Sequence, residues 1–116
     1  MKAIEKELDR LVQMLHLDRR CAICGCPAEA VHHVVGRSNR LLRYALMNLV
    51  PVCYFCHRRI HDGKVDIEDY LKPGVMEKLE SYKQKSYKDM LLFELRLSEG
   101  EWFKECKKAL KESILR

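Results

Sequence analysis

Apolar residues recur with a helical period near the start of the chain. Within the first 18 residues they stand at i, i+4, i+7, i+8 and i+11, a spacing that places them on one face of a helix. The residues of that face are Ile4, Leu8, Leu11, Val12 and Leu15. The pattern predicts an N-terminal helix, which we treat as a unit of its own over residues 1–18.

The middle of the chain, residues 19–63, changes to short apolar runs separated by turn residues. Residues 30–35 and 48–52 are rich in valine and predict two strands, with Pro51 at a sheet edge or a bend. An arginine-rich connection joins them. A helix is expected to follow the second strand directly and to end just before Gly63.

The remainder of the chain shows helical patterns alone. A short element is expected over residues 66–71, and a longer helical pattern covers 75–97, with a break near Ser86. Ser98 and Glu101 have the spacing of a capping box, which predicts the start of a last helix. We expect this segment to pack on the middle of the chain or to extend it.

Four of the six cysteines form two C-x-x-C pairs. Six cysteines could also form disulfides in a secreted protein. The chain begins, however, with a charged segment that has no apolar secretion signal, and this favours a reducing, cytoplasmic location. In such a compartment paired C-x-x-C motifs are typical of metal sites. We therefore predict one structural zinc ion held by four thiolates, those of Cys21, Cys24, Cys53 and Cys56.

The order of these features predicts the fold class. A knuckle turn, a hairpin and a helix, with zinc ligands on the knuckle and in the first turn of the helix, form a treble-clef arrangement. We predict an α+β fold with a small zinc-stapled core over residues 19–63 and helices on either side. Cys26 could replace Cys24 as a ligand, but the C-x-x-C spacing favours Cys24, and we interpret Cys26 and Cys106 as small apolar residues. No apolar run approaches the ~18 residues of a membrane span.

The net charge of +5 belongs to the middle of the chain. Residues 19–61 contain seven arginines, no lysine and one acid, whereas the remainder is nearly neutral. Arginine can bind phosphate through two hydrogen bonds at once, which lysine cannot. A solvated basic face is the simpler alternative, but the concentration of arginines around the cysteines and histidines favours a phosphate-binding surface. The arginines near the predicted hairpin loop and helix are Arg37, Arg40, Arg43, Arg58 and Arg59.

The histidines suggest a second metal site. His57 and His61 are four residues apart on the predicted helix and so share a face, while Cys56 points roughly 100° away from His57. With one strand histidine they could bind a divalent ion and leave positions open for water and phosphate. Taken alone, His57 would be a surface residue and His61 a residue at the edge of the core. The nearby doublet of His32 and His33 favours the metal site.

The run HH-x-x-G-R, followed by N-L-x-P-V-C-x-x-C-H and then I-H, resembles the HNH nuclease family. More narrowly, it is similar to the four-cysteine zinc subtype of the ββα-metal (His-Me finger) fold. The resemblance is specific because two histidines and an asparagine occur in the family's order, with the cysteine pairs correctly interleaved. It implies an endonuclease that hydrolyses DNA phosphodiester bonds to 5′-phosphate and 3′-hydroxyl ends.

The resemblance also implies roles position by position. His33 matches the general base that deprotonates the attacking water, and Asn48 matches the residue that braces the hairpin loop and so orients the base. His32 and His57 match metal ligands on the strand and the helix, and His61 matches a further helix histidine that only some members have. The implied cofactors are zinc at the thiolates and Mg²⁺, Mn²⁺ or another divalent ion at the histidines. The implied partner is DNA, held by the arginines.

Two hypotheses about function stay open. The first is a metal-dependent endonuclease, non-specific or selective for DNA structure; the second is a catalytically silent four-cysteine zinc module that binds DNA. The first is favoured because a silent module has no need for His33, Asn48 and His57 together. Residues 64–116 resemble the C-terminal segment of phage recombination nucleases, which implies DNA recombination or restriction in a bacterial or phage-infected cell.

Overall fold

An antiparallel hairpin followed directly by a helix forms the centre of the chain. This computed structural model describes residues 2–83 and 87–115. The described helices and strands are α1 (Ala3–Met14), β1 (Ala30–His33), β2 (Leu49–Val52), α2 (Tyr54–His61), α3 (Val75–Lys83), α4 (Tyr87–Leu95) and α5 (Glu99–Ile114). Short 3-10 turns lie at Leu42–Tyr44, Leu46–Asn48 and Ile67–Tyr70.

Strands β1 and β2 pair over their whole length. In the register of this two-stranded sheet His33 lies opposite Leu49, at the end where the connection begins, and Pro51 lies opposite Val31. Each strand is an edge, so a proline without an N–H is tolerated in β2. The hairpin thus carries the two histidines of β1 towards the helix that follows β2.

The main hydrophobic core joins the hairpin to helices from both ends of the chain. Leu8 of α1 and Leu110 of α5 are fully buried in it. Trp102 of α5 belongs to the same core, and its indole N–H donates a hydrogen bond to the carbonyl of Leu41 at 2.9 Å. This core therefore contains residues from all three predicted segments, and the division of the chain at residues 18 and 63 stays a prediction.

A smaller cluster of buried side chains surrounds the cysteines. Val52 of β2 and Ile67 of the last 3-10 turn pack there with Cys21, Cys53 and Cys56. Its buried apolar side chains are fewer than those of the main core, so it offers less hydrophobic stabilisation. The cysteines themselves are therefore the natural staple of this part of the fold.

The predicted α+β class is confirmed. The helical pattern over 75–97 forms α3 and α4, and the break expected near Ser86 lies outside the described residues. The capping box is present: the Ser98 hydroxyl oxygen accepts from the Glu101 N–H at 3.2 Å, and the Glu101 carboxylate accepts from the Ser98 N–H at 3.1 Å. Where local signals were strong, the predicted helix starts agree with the structure.

Arg40 ties the connection between the strands to α1 and α5. Its guanidinium pairs with Glu5 at 2.7 Å and with Glu99 at 2.5 Å, and it lies 5.1 Å from the centre of the Phe103 ring. Glu5 is buried, and its hydrogen bond with Arg40 is the main cause of a lowered pKa at that carboxyl. The pair is thus a charged link at the edge of the apolar core.

We predict that Glu5→Gln lowers the free energy of unfolding at pH 7 by roughly 1–3 kcal/mol, because it weakens a hydrogen bond between charged groups. In the background of Glu5→Gln, the change Arg40→Gln should cost less than in the wild type, because its buried partner charge is already gone. Urea denaturation of the two single variants and the double variant measures this coupling.

Glu7→Gln is the matched control. Glu7 also pairs with a cation, Lys107 of α5 at 3.0 Å, but it lies at the surface. Solvent screens such a pair, so its loss should change stability less than the loss of Glu5. Equal costs for Arg40→Gln with and without Glu5 would contradict the link.

Candidate metal centres and active site

Two pairs of cysteines converge between the knuckle turn and the start of α2. Cys21 and Cys24 lie in the turn, where Gly25 has a positive φ of 79°, a conformation that favours glycine. Cys53 caps α2, and Cys56 lies in its first turn. The four sulfur atoms all lie within 4.8 Å of one another. The predicted four-cysteine set is therefore brought together.

The spacing of the thiols suits a metal ion. The sulfur atoms of Cys24 and Cys53 are 3.7 Å apart. Two Zn–S bonds of about 2.3 Å that meet at a tetrahedral angle would hold two sulfurs about 3.8 Å apart. Four thiols complete a tetrahedron and leave no open position, which is typical of a structural site rather than a catalytic one. The donor set suggests zinc.

The electrostatics of the thiols point to a bound cation. Burial raises the pKa of the Cys21 thiol, but hydrogen bonds with the backbone at Cys24 and Cys53 outweigh it and lower that pKa to about 6. Burial, with hydrogen bonds to the other thiols, raises the pKa of Cys56 to about 12. The Cys21 thiol therefore loses its proton more readily than the Cys56 thiol. A cation would allow all four thiols to be thiolates together.

Three histidines form a second cluster on the other side of α2. His32 comes from β1, and His57 and His61 come from α2, with one ring nitrogen of each within 4.8 Å of the others. The Nε2 atoms of His57 and His61 are 3.1 Å apart. Two bonds of about 2.0–2.1 Å at a tetrahedral angle would place two nitrogens about 3.3 Å apart. The predicted histidine set therefore also has a spacing that suits a metal ion.

The environment keeps two of these rings, those of His32 and His57, in the form that binds metal. Burial lowers the pKa of His32 to about 4, and the nearby rings of His57 and His61 lower it further. Burial, followed by the neighbouring His61, also lowers the pKa of His57. Both rings are therefore neutral near pH 7, and neutral imidazole is the metal-binding form. His32 is buried while His61 is exposed, so the cluster is closed towards the protein and open towards solvent.

A cavity of about 500 Å³ lies over the histidine cluster and extends to His33. Regular strand residues point to opposite faces, but His33 is the last residue of β1, and its ring lines the same cavity as His32. Burial, and then the positive charge of Arg37, lowers the pKa of His33. A neutral imidazole at this position can accept a proton at neutral pH.

Asn48 is fully buried and fastens the connection between the strands to the end of β1. Its Oδ1 accepts a hydrogen bond from the Val35 N–H at 2.6 Å, and its Nδ2 donates to the carbonyls of Val35 and Leu42 at 3.0 Å each. Arg43, which follows Leu42 in the chain, has a backbone hydrogen bond with the ring of His33. Asn48 therefore holds the segment that orients His33.

Three of the five arginines predicted to bind phosphate lie on the side of the cavity or on α2. Arg37 lines the cavity. Both Arg37 and Arg58 are exposed. Arg59 is partly buried, with its guanidinium 5.5 Å from the centre of the Phe55 ring. Arg37 can thus supply positive charge at the cavity, and Arg58 and Arg59 can supply it elsewhere on α2.

The other two arginines bind acidic side chains of the chain itself. Arg43 pairs with Asp9 of α1 at 2.8 Å, and Arg40 bridges Glu5 and Glu99. A guanidinium that already faces a carboxylate has less to offer a phosphate. The structure therefore favours a scaffolding role for Arg40 and Arg43 over the DNA contact expected from the sequence.

Two cavity residues were not singled out in the sequence. Tyr54 stands three residues before His57 and seven before His61, so the helical period alone could have placed it on the face of the histidines. Gln13 of α1 also lines the cavity. No local signal links α1 to the hairpin, because that contact is made only by the packing of the core.

A hairpin and a helix that bring three histidines together beside a four-cysteine cluster define a ββα-metal core. Comparison with known proteins gives the family of this segment. Residues 21–63 match the family model described as HNH endonuclease. The segment contains both clusters, His33 and Asn48. Residues 21–63 therefore belong to the HNH endonuclease family.

One curated relative extends the comparison. The mitochondrial DNA mismatch repair protein mutS homolog of Sarcophyton glaucum is 43% identical over 65 residues, which are 51% of this chain and 6% of that protein. The chain therefore spans a small part of that relative. No solved structure matches the chain. Among the described residues, no helix has the length and apolar character needed to cross a membrane.

We predict one tightly bound zinc ion per chain at the four cysteines, worth on the order of ten kcal/mol to folding. Cys53→Ser removes one thiolate but leaves a hydroxyl that can still cap α2, so the module should lose zinc and unfold because of the lost metal ligand. Native mass spectrometry and circular dichroism would measure both effects. A chelator that removes the ion should unfold the wild type in the same way.

Cys26→Ser is the matched control for this prediction. Cys26 is exposed and does not belong to the four-cysteine cluster. Its replacement should leave the zinc content and the fold unchanged. A folded wild type without zinc, or zinc retained equally by Cys53→Ser, would contradict the four-thiolate assignment.

Proposed function

We propose that this chain is a metal-dependent endonuclease that hydrolyses DNA phosphodiester bonds, without sequence preference or with selectivity for DNA structure. The observation that supports this most is the convergence of His32, His57 and His61 on one cavity that His33 also lines. A module that only binds zinc through cysteines needs none of these four rings.

The reaction follows from the positions of the groups. His33 accepts the proton of the attacking water, with its ring oriented by the backbone of Arg43 and, one step further, by Asn48. As water adds to phosphorus, the bond to the 3′ oxygen breaks, and a proton from solvent completes the 3′-hydroxyl end. The other product is a 5′-phosphate end. A Mg²⁺, Mn²⁺ or other divalent ion at the three-histidine cluster would offset charge on the phosphate and the departing oxygen.

The DNA backbone is held beside this cavity by arginine. Arg37 lines the cavity. Arg58 and Arg59 add positive charge on α2, outside the cavity lining. Contacts of this kind position the substrate but carry no sequence information. This is why we propose a nuclease that is non-specific or selective for structure.

The name of the curated relative, a DNA mismatch repair protein, supports DNA as the substrate class. A cytoplasmic location in a bacterial or phage-infected cell and a role in phage recombination stay predictions. The alternative, a catalytically silent zinc module, would have the same four-cysteine cluster. A measurement of nuclease activity is therefore needed to distinguish the two hypotheses.

We predict that the wild type nicks supercoiled plasmid in the presence of Mg²⁺ or Mn²⁺ and that His33→Ala lowers the rate by roughly 10²–10⁴-fold, the range for loss of a general base. A series of divalent ions should be included, because the imidazole ligands suit several of them. The measurement is the rate of conversion from supercoiled to nicked plasmid.

His16→Ala is the matched control for His33→Ala. His16 lies beyond α1 and does not line the cavity, so its replacement should leave the nicking rate unchanged. If the wild type cuts no faster than His33→Ala with any of the ions, the silent zinc module is the better description.

We predict that DNA affinity falls steeply with salt, because each neutralised phosphate contributes about 0.9 to the slope of log affinity against log salt concentration. Arg58→Gln and Arg59→Gln should each reduce this slope by about one contact. Fluorescence anisotropy with labelled DNA at several salt concentrations, using the inactive His33→Ala background, gives the slope.

Arg96→Gln is the control for the arginine variants. Arg96 is exposed but lines a different cavity, beside Phe93 of α4. Its replacement should leave the slope as it is. A slope near zero in the wild type would rule out a phosphate-binding surface.

A further inference from the structure

Two large aromatic side chains are exposed at the start of α2. Tyr54 is 63% exposed and Phe55 is 70% exposed, although both lie within the segment that the four cysteines fix in place. A single exposed aromatic residue needs no explanation. Two consecutive ones beside a catalytic cavity, on a helix whose other exposed residues are arginine and histidine, form a surface with a defined chemistry.

Helix geometry places Tyr54 at the entrance to the cavity and Phe55 on the adjoining flank of α2, outside the cavity lining. Tyr54, His57 and His61 share one face of α2, because they are three and seven residues apart, and all three line the cavity. Phe55 lies about 100° further round the helix. The guanidinium of Arg59, one turn later, lies 5.5 Å from the centre of its ring. We call Tyr54, Phe55 and Arg59 the aromatic platform.

The charge around the platform limits what can cover it. Arg58 is exposed between the two aromatic positions on the helix, and Arg59 carries its charge over Phe55. An apolar protein surface would leave these charges without partners, at a cost in desolvation. A nucleotide offers both a flat π-face for the rings and a phosphate for the arginines.

We propose that the aromatic platform binds an unpaired nucleobase next to the scissile phosphate, so that the preferred substrates are DNAs with unpaired bases. A base inside a paired duplex is covered by its neighbours on both faces and cannot stack on a side chain. An unpaired base in a single strand or a bulge has a free face. This inference rests on the proposed function, since it assigns a substrate class to the same cavity.

The test uses DNA that carries 2-aminopurine, a base analogue whose fluorescence falls when it stacks. The analogue is placed at an unpaired position in a single strand, at a bulge in a duplex, or within a fully paired duplex of the same sequence. Binding is measured with the zinc-loaded 116-residue chain in the His33→Ala background, where the DNA stays intact. We expect quenching and tighter binding for the single strand and the bulge, compared with the paired duplex.

The platform variants should abolish this difference. Phe55→Ala and Tyr54→Ala should each weaken binding of the unpaired substrates about five- to hundred-fold relative to the paired duplex, the range expected for loss of one base–aromatic stack. Tyr54→Phe keeps the ring and should keep the preference. Phe55→Leu keeps an apolar side chain but not the ring, and should behave like Phe55→Ala.

Phe93→Ala is the matched control, because Phe93 is 83% exposed on α4 and lines a separate cavity. It should retain the quenching and the preference. Zinc content and the unfolding midpoint of each variant show that the fold is intact. If a platform variant does not fold, Tyr54→Phe compared with Phe55→Leu still separates a stacking role from an apolar one.

Three outcomes would overturn the inference. One is equal binding of paired and unpaired DNA by the wild type. The second is unpaired-base binding that Phe55→Leu and Tyr54→Ala both retain. The third is a change of oligomeric state in the platform variants, measured by light scattering, without loss of quenching; the rings would then form an interface between copies. If the wild type cleaves plasmid but binds paired and unpaired DNA equally, the platform proposal is wrong and the nuclease proposal stands. If unpaired DNA is quenched but no DNA is cleaved by the wild type, the nuclease proposal is wrong and the platform proposal stands.

Discussion

The convergence of four thiols at the start of α2 is the constraint on which the rest of this structure depends. Cys53 and Cys56 fix both the position of the helix and its rotation about its own axis, because they face the knuckle turn. Each residue of a helix turns by about 100°, so once Cys56 points towards the knuckle, His57 and His61 must point elsewhere. They point to β1, where His32 completes the second cluster. One short helix therefore contributes to two candidate metal centres, because its first turn faces the knuckle.

A second constraint fixes the other wall of the cavity. The connection between the strands is long, and a free loop of that length would not hold His33 in one orientation. Asn48 is buried and satisfies one N–H and two carbonyls of the backbone at once. Such a group is costly to leave unpaired, so the loop adopts the conformation that pairs it. The ion pairs of Arg40 and Arg43 with α1 and α5 reinforce the same loop from outside.

Much of the fold and of the site could be predicted because its signals are local. The C-x-x-C pairs, the i, i+4 spacing of His57 and His61 and the capping box at Ser98 each depend on a few neighbouring residues. The partners of Arg40 could not be predicted, because Glu5 and Glu99 lie far away in the sequence and reach it only through the packing of α1 and α5. The number of arginines in residues 19–61 therefore overestimates the positive charge that is free to bind phosphate.

The same distinction separates the parts of the active site. The four cysteines, the three clustered histidines and His33 all lie within 21–63, the segment that matches the family model. Gln13, by contrast, reaches the cavity from α1, outside that segment. Helix α1, outside 21–63, therefore contributes to the shape of the cavity, whereas both candidate ligand clusters lie within that segment.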